Sequence, residues 1–342
     1  MRPKILIIYT GGTIGMAMDY HSQSLIPFDF DNLIKRLPEI SLIDCDFDYF
    51  SFEEPIDSSN MRPEIWLQIA EVLETKYHEF DGFVILHGTD TMSYTASALS
   101  FMTENLEKPI IFTGSQLPIG ELRTDAKENL ITSILLASLQ KEGKPMIQEV
   151  CIYFEYKLFR ANRTTKINAE NFDAFESPNF PSIGISGVHL DVKEKILFNY
   201  QKTGDFRINK QLDSSVGVLK IFPGIPQTFV ENLLHSPNIK AFIIEAYGTG
   251  NIFTDQWFID ILQQKAKEGI HLIINTQCAG GMVEIGRYST STPLAKIGVI
   301  SSFDLTMEAA ITKAIYLLGQ NLTHAEFKTQ YETSLKGEMS TP

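Results

Sequence analysis

The chain has 342 residues, 44% of them hydrophobic, with 29 basic and 42 acidic side chains for a formal net charge of −13. This length and apolar content exclude a disordered or fibrous chain and exceed what one compact core usually holds, so two domains are expected. The negative charge repels polyphosphate and anionic lipid, which argues against a broad nucleic-acid or membrane surface, and no apolar stretch approaches the roughly 20 residues of a membrane helix.

From the N-terminus, the apolar run 5–9 is too short for a signal-peptide core and leads directly into a glycine turn, so it reads as a strand. Further strands are predicted at 83–86, 110–113 and 150–154. Between them, 63–77 opens with a helix-starting proline and places Ile65, Ile69, Val72 and Leu73 on one face, and 126–139 does likewise with Leu130, Ile134 and Ala137. Strands alternating with helices of this kind predict an α/β fold, a mostly parallel sheet covered by crossover helices. From 191 to 214 charges interrupt every apolar cluster, which places the interdomain connection there. The rhythm then resumes with strands at 216–222, 241–246, 271–275 and 298–301, and with a helix over 254–267 whose Phe258, Ile261 and Leu262 share a face. The expected organisation is an N-terminal α/β catalytic domain at 1–190, a connection at 191–214 and a smaller C-terminal α/β domain at 215–342. No repeat of fixed period and no low-complexity tract is present. Cys45, Cys151 and Cys278 are odd in number and far apart, fitting neither a disulfide framework nor a zinc cluster, so they read as reduced thiols of a cytoplasmic protein.

Ligands of open parallel sheets bind beyond the carboxyl ends of the strands, and three strand ends here are unusually polar. The first continues as Tyr9-Thr10-Gly11-Gly12-Thr13-Ile14-Gly15, the second as His87-Gly88-Thr89-Asp90-Thr91, the third as Thr113-Gly114-Ser115-Gln116. Each pairs glycine with a hydroxyl. Glycine lets backbone N–H groups turn toward a ligand while the neighbouring hydroxyl projects into the same crevice. A single such loop is as well explained by helix capping. Three together offer a nucleophile and oxyanion donors, and an amide-cleaving site then lacks only a base. Arg160-Ala161-Asn162-Arg163-Thr164-Thr165-Lys166 offers one. A lone lysine is usually a solvated surface charge, but Lys166 held beside Asp90 and Thr89 in partial burial can take a proton from a hydroxyl.

Competing sites find less support. The first loop lacks the Gly-Lys-Ser/Thr of a phosphate-binding loop and the GxGxxG of a dinucleotide turn, and no GxSxG elbow or HExxH pair occurs. Of seven histidines only His87 stands in a candidate loop, where it reads as a hydrogen-bonded supporting residue rather than a metal ligand.

The motifs YTGGTIG at 9–15 and VILHGTDTMSYTASALSF at 84–101 closely resemble the two threonine signatures of L-asparaginases, in the pattern of the bacterial cytoplasmic type I group. The resemblance extends through DSSNM at 57–61, TGSQLPIGELRTDAKEN at 113–129, LFRANRTTKIN at 158–168, NFDAFESPN at 171–179, YGTGN at 247–251 and NTQCAGG at 275–281. It implies a cytoplasmic homodimer or dimer of dimers that hydrolyses L-asparagine to L-aspartate and ammonia with neither metal nor organic cofactor. By the same resemblance Thr13 is the nucleophile that forms an acyl-enzyme, and Thr89, Asp90 and Lys166 form a proton relay. Gly12, Ser58, Ser59, Gly88, Thr89, Asp90 and Ser115 bind the substrate.

Leu25 is a departure, standing where many relatives carry a loop tyrosine that hydrogen-bonds the nucleophile. Tyr288 is the expected replacement, with Tyr20 on the same loop, 16–27, which is expected to act as a lid. A regulatory asparagine site of some members would draw on Thr165, Glu245 and Cys278, although Glu245 replaces a basic residue of at least one such relative. Alternatives are a catalytically weak asparagine-binding sensor, suggested by Leu25, and the ammonia-releasing subunit of a tRNA-dependent amidotransferase or a lysophospholipase. The last two are disfavoured by their longer chains.

Overall fold

The computed structural model describes residues 2–19, 24–27, 37–199, 203–287 and 291–340. The chain divides into two compact units, Met1–Lys210 and Gln211–Pro342.

The first unit is built on an eight-stranded sheet. Its strands are β1 (Lys4–Gly11), β2 (Asp46–Ile56), β3 (Gly82–Leu86), β4 (Ile110–Thr113), β5 (Val150–Phe154), β6 (Lys157–Arg160), β7 (Gly184–Ser186) and β8 (Leu190–Val192), in the order β8-β7-β6-β5-β4-β3-β1-β2. From β2 to β5 neighbouring strands run parallel, and from β5 to β8 they run antiparallel. Strands β3, β4 and β5 are buried along their full length. A parallel strand covered on both faces must be apolar at every position, which is why these three read as unbroken runs in the sequence.

Helices α1 (Pro63–Lys76), α2 (Met92–Met102) and α3 (Ala126–Ser138) cover the sheet. Helix α1 starts on a proline whose missing N–H costs nothing at that position, and it carries Glu64 in its first turn and Lys76 in its last, both complementing the helix dipole. In α3, Leu130, Ile134 and Ala137 share one core with Ile5 and Ile7 of β1, Val84 and Leu86 of β3 and Ile111 of β4. The Trp66 indole N–H donates to Thr95 Oγ1 at 3.2 Å, tying α1 to α2.

The segment 191–214, read as the connection, contributes to both units. Leu190–Val192 lies at the edge of the large sheet, and Arg207–Ile208 pairs with Thr103–Glu104 at the end of α2. The units part between Lys210 and Gln211.

The second unit is a four-stranded parallel sheet of β9 (Val216–Lys220), β10 (Ala241–Ala246), β11 (His271–Thr276) and β12 (Ile300–Ser301), side by side in that order. One core holds Val230 and Leu234 of α4 (Gln227–Leu234), Phe258 and Leu262 of α5 (Gln256–Lys267), and Leu294 of α6 (Thr292–Ile297). Another holds Ala310 and Leu317 of α7 (Met307–Leu318) with Phe327 and Tyr331 of α8 (His324–Tyr331). Among the described residues no helix is long and apolar enough to cross a membrane.

Candidate active site

The site is assembled at the carboxyl ends of β1, β3 and β4. Strand β1 leaves the sheet with the Thr10 hydroxyl donating to the Leu86 carbonyl at 2.9 Å, which fastens the first loop to the end of β3. Gly12 then adopts φ +88°, and a Cβ there would lie 2.5 Å from the Gly88 backbone nitrogen. A Cβ on Gly88 would in turn lie 2.5 Å from Ser58 Oγ. Three segments thus meet at distances that only glycine permits. Thr13 and Thr89 are each the residue that follows one of the touching glycines.

Thr13 is half-buried and opens a one-turn 3-10 helix, Thr13–Gly15. The Tyr9 hydroxyl donates to the Gly15 carbonyl at 3.2 Å beneath this turn, and burial pushes the Tyr9 phenol up to about 12. Ser58 is buried and its carbonyl accepts from the Thr91 hydroxyl at 2.8 Å. Ser59 is exposed, and its N–H donates to the Asp57 carboxylate at 2.8 Å.

Lys166 reaches this cluster because of how its own segment is anchored. After β6, Thr164 Oγ1 donates back to the Arg160 carbonyl at 2.7 Å, and the Asn162 amide donates to Ser100 Oγ of α2 at 2.9 Å. Helix α2 begins two residues after Asp90 and therefore anchors both the Asp90 loop and the segment that carries Lys166. Arg160 is itself fixed in the core by Glu149, Nε to Oε2 at 2.6 Å, both side chains being buried. The result is that Lys166 Nζ donates to Thr89 Oγ1 at 2.8 Å and to Asp90 Oδ1 at 2.7 Å. The lysine side chain is only 16% exposed, whereas its partner Asp90 is 63% exposed and open to solvent.

His87 lies behind the second loop and is fully buried. Burial pushes its imidazole down to about 4, only partly offset by the Gly88 carbonyl. Nδ1 faces that carbonyl at 2.7 Å, so the neutral ring carries its proton on Nδ1. Ser115 is buried, its hydroxyl donating to the Leu117 carbonyl at 2.6 Å.

The structure therefore brings Thr89, Asp90 and Lys166 into direct contact and places Gly12, Gly88 and Ser58 against one another. Tyr288 and Tyr20 lie outside the described residues. Of the loop 16–27, Met16–Asp19 pairs antiparallel with Ser24–Pro27, with Met18 opposite Leu25. Thr165 is half-buried in the two-residue strand Thr165–Lys166, which pairs with Phe175–Glu176 in the first unit. In the second unit Glu245 is 3.7 Å from Lys220 Nζ, and Cys278 is exposed with its N–H donating to Thr276 Oγ1. Among the described residues no group of three or more His, Cys, Asp or Glu side chains could hold a metal ion.

Sequence reasoning assigned no role to Gln116 or Asp125. The Asp125 carboxylate accepts the backbone N–H groups of Gln116 and Leu117, at 2.9 Å for its best bond to Gln116, and the Asn129 amide at 3.2 Å. Burial pushes this carboxyl above its usual value, and those same N–H groups oppose the shift. Asn129 also donates to the Gly114 carbonyl at 3.0 Å, so one buried network holds the third loop. The signal was the run of polar residues 113–129 around a helix start, but residues at that position are ambiguous between caps and site supports.

Two family models cover the chain. "Asparaginase, N-terminal" matches residues 4–198 and "Glutaminase/Asparaginase C-terminal domain" matches residues 215–330. The chain belongs to the asparaginase family. It is 40% identical over 340 residues to L-asparaginase 1 of Escherichia coli K12, covering 99% of this chain and 98% of that protein. The crystal structure of L-asparaginase I from Vibrio cholerae superposes with a TM-score of 0.90 at 37% identity, covering 99% of this chain and all of that one. The 60 kDa lysophospholipase of Mus musculus is 35% identical over 364 residues, with 63% of its own length covered. Family membership makes this chain an amidohydrolase.

Proposed function

We propose that this protein is a cytoplasmic L-asparaginase that hydrolyses the side-chain amide of L-asparagine to L-aspartate and ammonia. The observation that carries the reading is the Lys166 side-chain nitrogen shared between the Thr89 hydroxyl and the Asp90 carboxylate, at 2.8 and 2.7 Å, where the Gly12 and Gly88 backbones touch.

In this reading the Thr13 hydroxyl attacks the side-chain carbonyl, its proton passes to the departing nitrogen, and ammonia leaves behind an ester on Thr13. Water then attacks the ester, giving its proton to Thr89 as the Thr89 hydrogen passes to Lys166 in its neutral amine form, and aspartate is released as that relay returns a hydrogen to Thr13. An amide is a poor electrophile and a threonine a poor nucleophile at neutral pH, so both need help. General-base assistance contributes roughly 10² to 10⁴ in rate. Backbone N–H groups near Thr13 and Thr89 serve the oxyanion at roughly 10² to 10³ each. Ser58, Ser59 and Asp90 grip the α-carboxylate and α-ammonium, and Ser115 lines the amide end. One methylene separates glutamine from asparagine, so preference for asparagine amounts to about 1 to 3 kcal/mol. The working assembly is a homodimer or a dimer of dimers, which light scattering on the purified protein tests directly.

The decisive experiment compares the parent with Thr13→Ala, Thr89→Ala and Lys166→Met for ammonia release from L-asparagine. The parent is expected to turn over, and each variant to lose at least about 100-fold in kcat. Binding survives in these variants, so saturating asparagine still raises their melting temperature, by about 2.7 kcal/mol of stabilisation at a hundred times Kd. A parent that binds asparagine yet releases no ammonia is a sensor, and the enzymatic reading falls.

A further inference from the structure

We infer that Gln116 is a positioning residue that fixes the direction in which the single proton of the Thr89 hydroxyl points. The inference rests on the amide-hydrolysis reading of the site and adds to it a residue that the relay itself does not contain.

The Gln116 side-chain nitrogen faces two backbone carbonyls, Ala169 at 3.2 Å and Asn171 at 3.0 Å. Carbonyl oxygens only accept, so the NH₂ end of the amide must be the end that meets them, and the amide cannot be flipped. Its oxygen then faces Thr89 Oγ1 at 3.2 Å. That oxygen accepts only, and hence Thr89 must donate to it. On its other side Thr89 meets the Lys166 ammonium, which donates only, and hence Thr89 must accept there. The one hydrogen of the hydroxyl is committed to Gln116 and one lone pair to Lys166, leaving one lone pair for substrate or water.

The amide is rigidly mounted. Its backbone N–H is held by Asp125, and the segment it clasps is ordered by Asn168 Oδ1, which accepts the N–H groups of Glu170 and Asn171 at 2.8 Å each. That segment begins directly after Lys166, so Gln116 joins the third loop, the Thr89 loop and the lysine segment. Among the described residues, the charged groups bonded to this cluster are Asp90 and Lys166 on the Thr89 side and the Asp125 carboxylate behind the Gln116 backbone, with the exposed Glu170 on the clasped segment.

With Lys166 as an ammonium, the two bonds to Thr89 agree. Once the lysine has given up its proton, its lone pair competes with Gln116 for the Thr89 hydrogen. Gln116 therefore opposes transfer of the Thr89 hydrogen to the lysine.

The test is the pH–rate profile for ammonia release from L-asparagine by the full-length parent, Gln116→Met and Gln116→Glu, with a melting curve for each. Removing the acceptor in Gln116→Met frees the Thr89 hydrogen for the amine, so the rising limb should move to lower pH. Adding a carboxylate in Gln116→Glu favours the ammonium, so the limb should move to higher pH. In Gln116→Met, kcat at the optimum should fall about tenfold with KM within twofold of the parent. If Gln116→Met does not fold, Gln116→Leu takes its place. Profiles that superimpose on the parent's, or that shift in the same direction in both variants, overturn the inference, as does a joint loss of kcat, KM and melting temperature with an unmoved profile. An inactive parent removes the functional reading itself, whereas an active parent with unmoved variants removes only the role of Gln116.

Discussion

At Gly88 the space a methyl group needs is already taken: a Cβ would lie 2.5 Å from Ser58 Oγ and 2.7 Å from Ser58 Cβ. Either the 87–90 loop or the Ser58 turn must give way. Gly88→Ala is therefore expected to cost about 1 to 3 kcal/mol of stability and about 100-fold in kcat/KM for asparagine, since a displacement near 1 Å at a reacting centre suffices for that loss. Steady-state kinetics beside a thermal melt check it, and an unchanged kcat/KM would mean that this contact does not position the loop. At this scale Gly12 and Gly88 were legible as glycines in strand-end loops, but which backbone each had to admit was not. Lys166 was legible only through its neighbours in the motif, because a lysine 76 residues distant from Asp90 carries no local sign of its partner. Gln116 carries no legible role within its loop, since an amide's function lies in its bonds rather than its identity.

Among the strands, those buried on both faces were the easiest to read and those at the edges the hardest. Strands β3, β4 and β5 announce themselves as apolar runs. Strand β2, eleven residues long at the sheet's edge, does not: DFDYFSFEEPI is mostly exposed, and its Asp and Glu residues blunt an otherwise open edge. Helix α2 was also missed as a helix. Nearly all of its residues are buried, so MSYTASALSFM has no polar face and no amphipathic period to detect. In the second unit, α7 is locked to the C-terminal segment by Lys313 and Glu338, both wholly buried, with Nζ to Oε1 at 2.5 Å. Burial alone raises the Glu338 carboxyl, but Lys313 and the N–H groups of Leu335 and Lys336 outweigh it and hold it below the usual carboxylate range. Lys313 also donates to the Thr333 carbonyl at 2.7 Å. Glu338→Ala leaves a buried ammonium without its counter-charge and should destabilise the protein by about 3 to 5 kcal/mol, read from denaturant midpoints. The double variant Lys313→Met/Glu338→Ala should recover part of that loss; a double variant as unstable as the single would show that the charge is not the cause.

For the whole molecule, stability should depend on pH through its buried histidines. Burial pushes both His87 and His271 down to about 4, with the neighbouring His324 adding to the effect at His271. Between pH 4 and about 6.5 the unfolded chain binds protons that the folded chain refuses, so folding stability rises with pH across that window and levels off above it. Each group contributes roughly 1.4 kcal/mol per pH unit there. The melting temperature should therefore be flat above pH 6.5 and fall as the solution is acidified, and His87→Gln should fall less steeply; equal slopes would show that His87 is not held neutral. The apolar strands β1, β3, β4 and β5, helices α1, α3 and α5, the polar loops at the ends of β1, β3 and β4, and the family signatures were determined by the sequence itself, because hydrophobic period and glycine placement are local properties of the chain. What only the tertiary structure decided was which of those loops touch, that Lys166 spans Thr89 and Asp90, and that Gln116 stands behind them. Such pairings depend on how α2 and β6 pack across residues far apart in sequence, and hydrogen-bond direction is fixed only when donor meets acceptor.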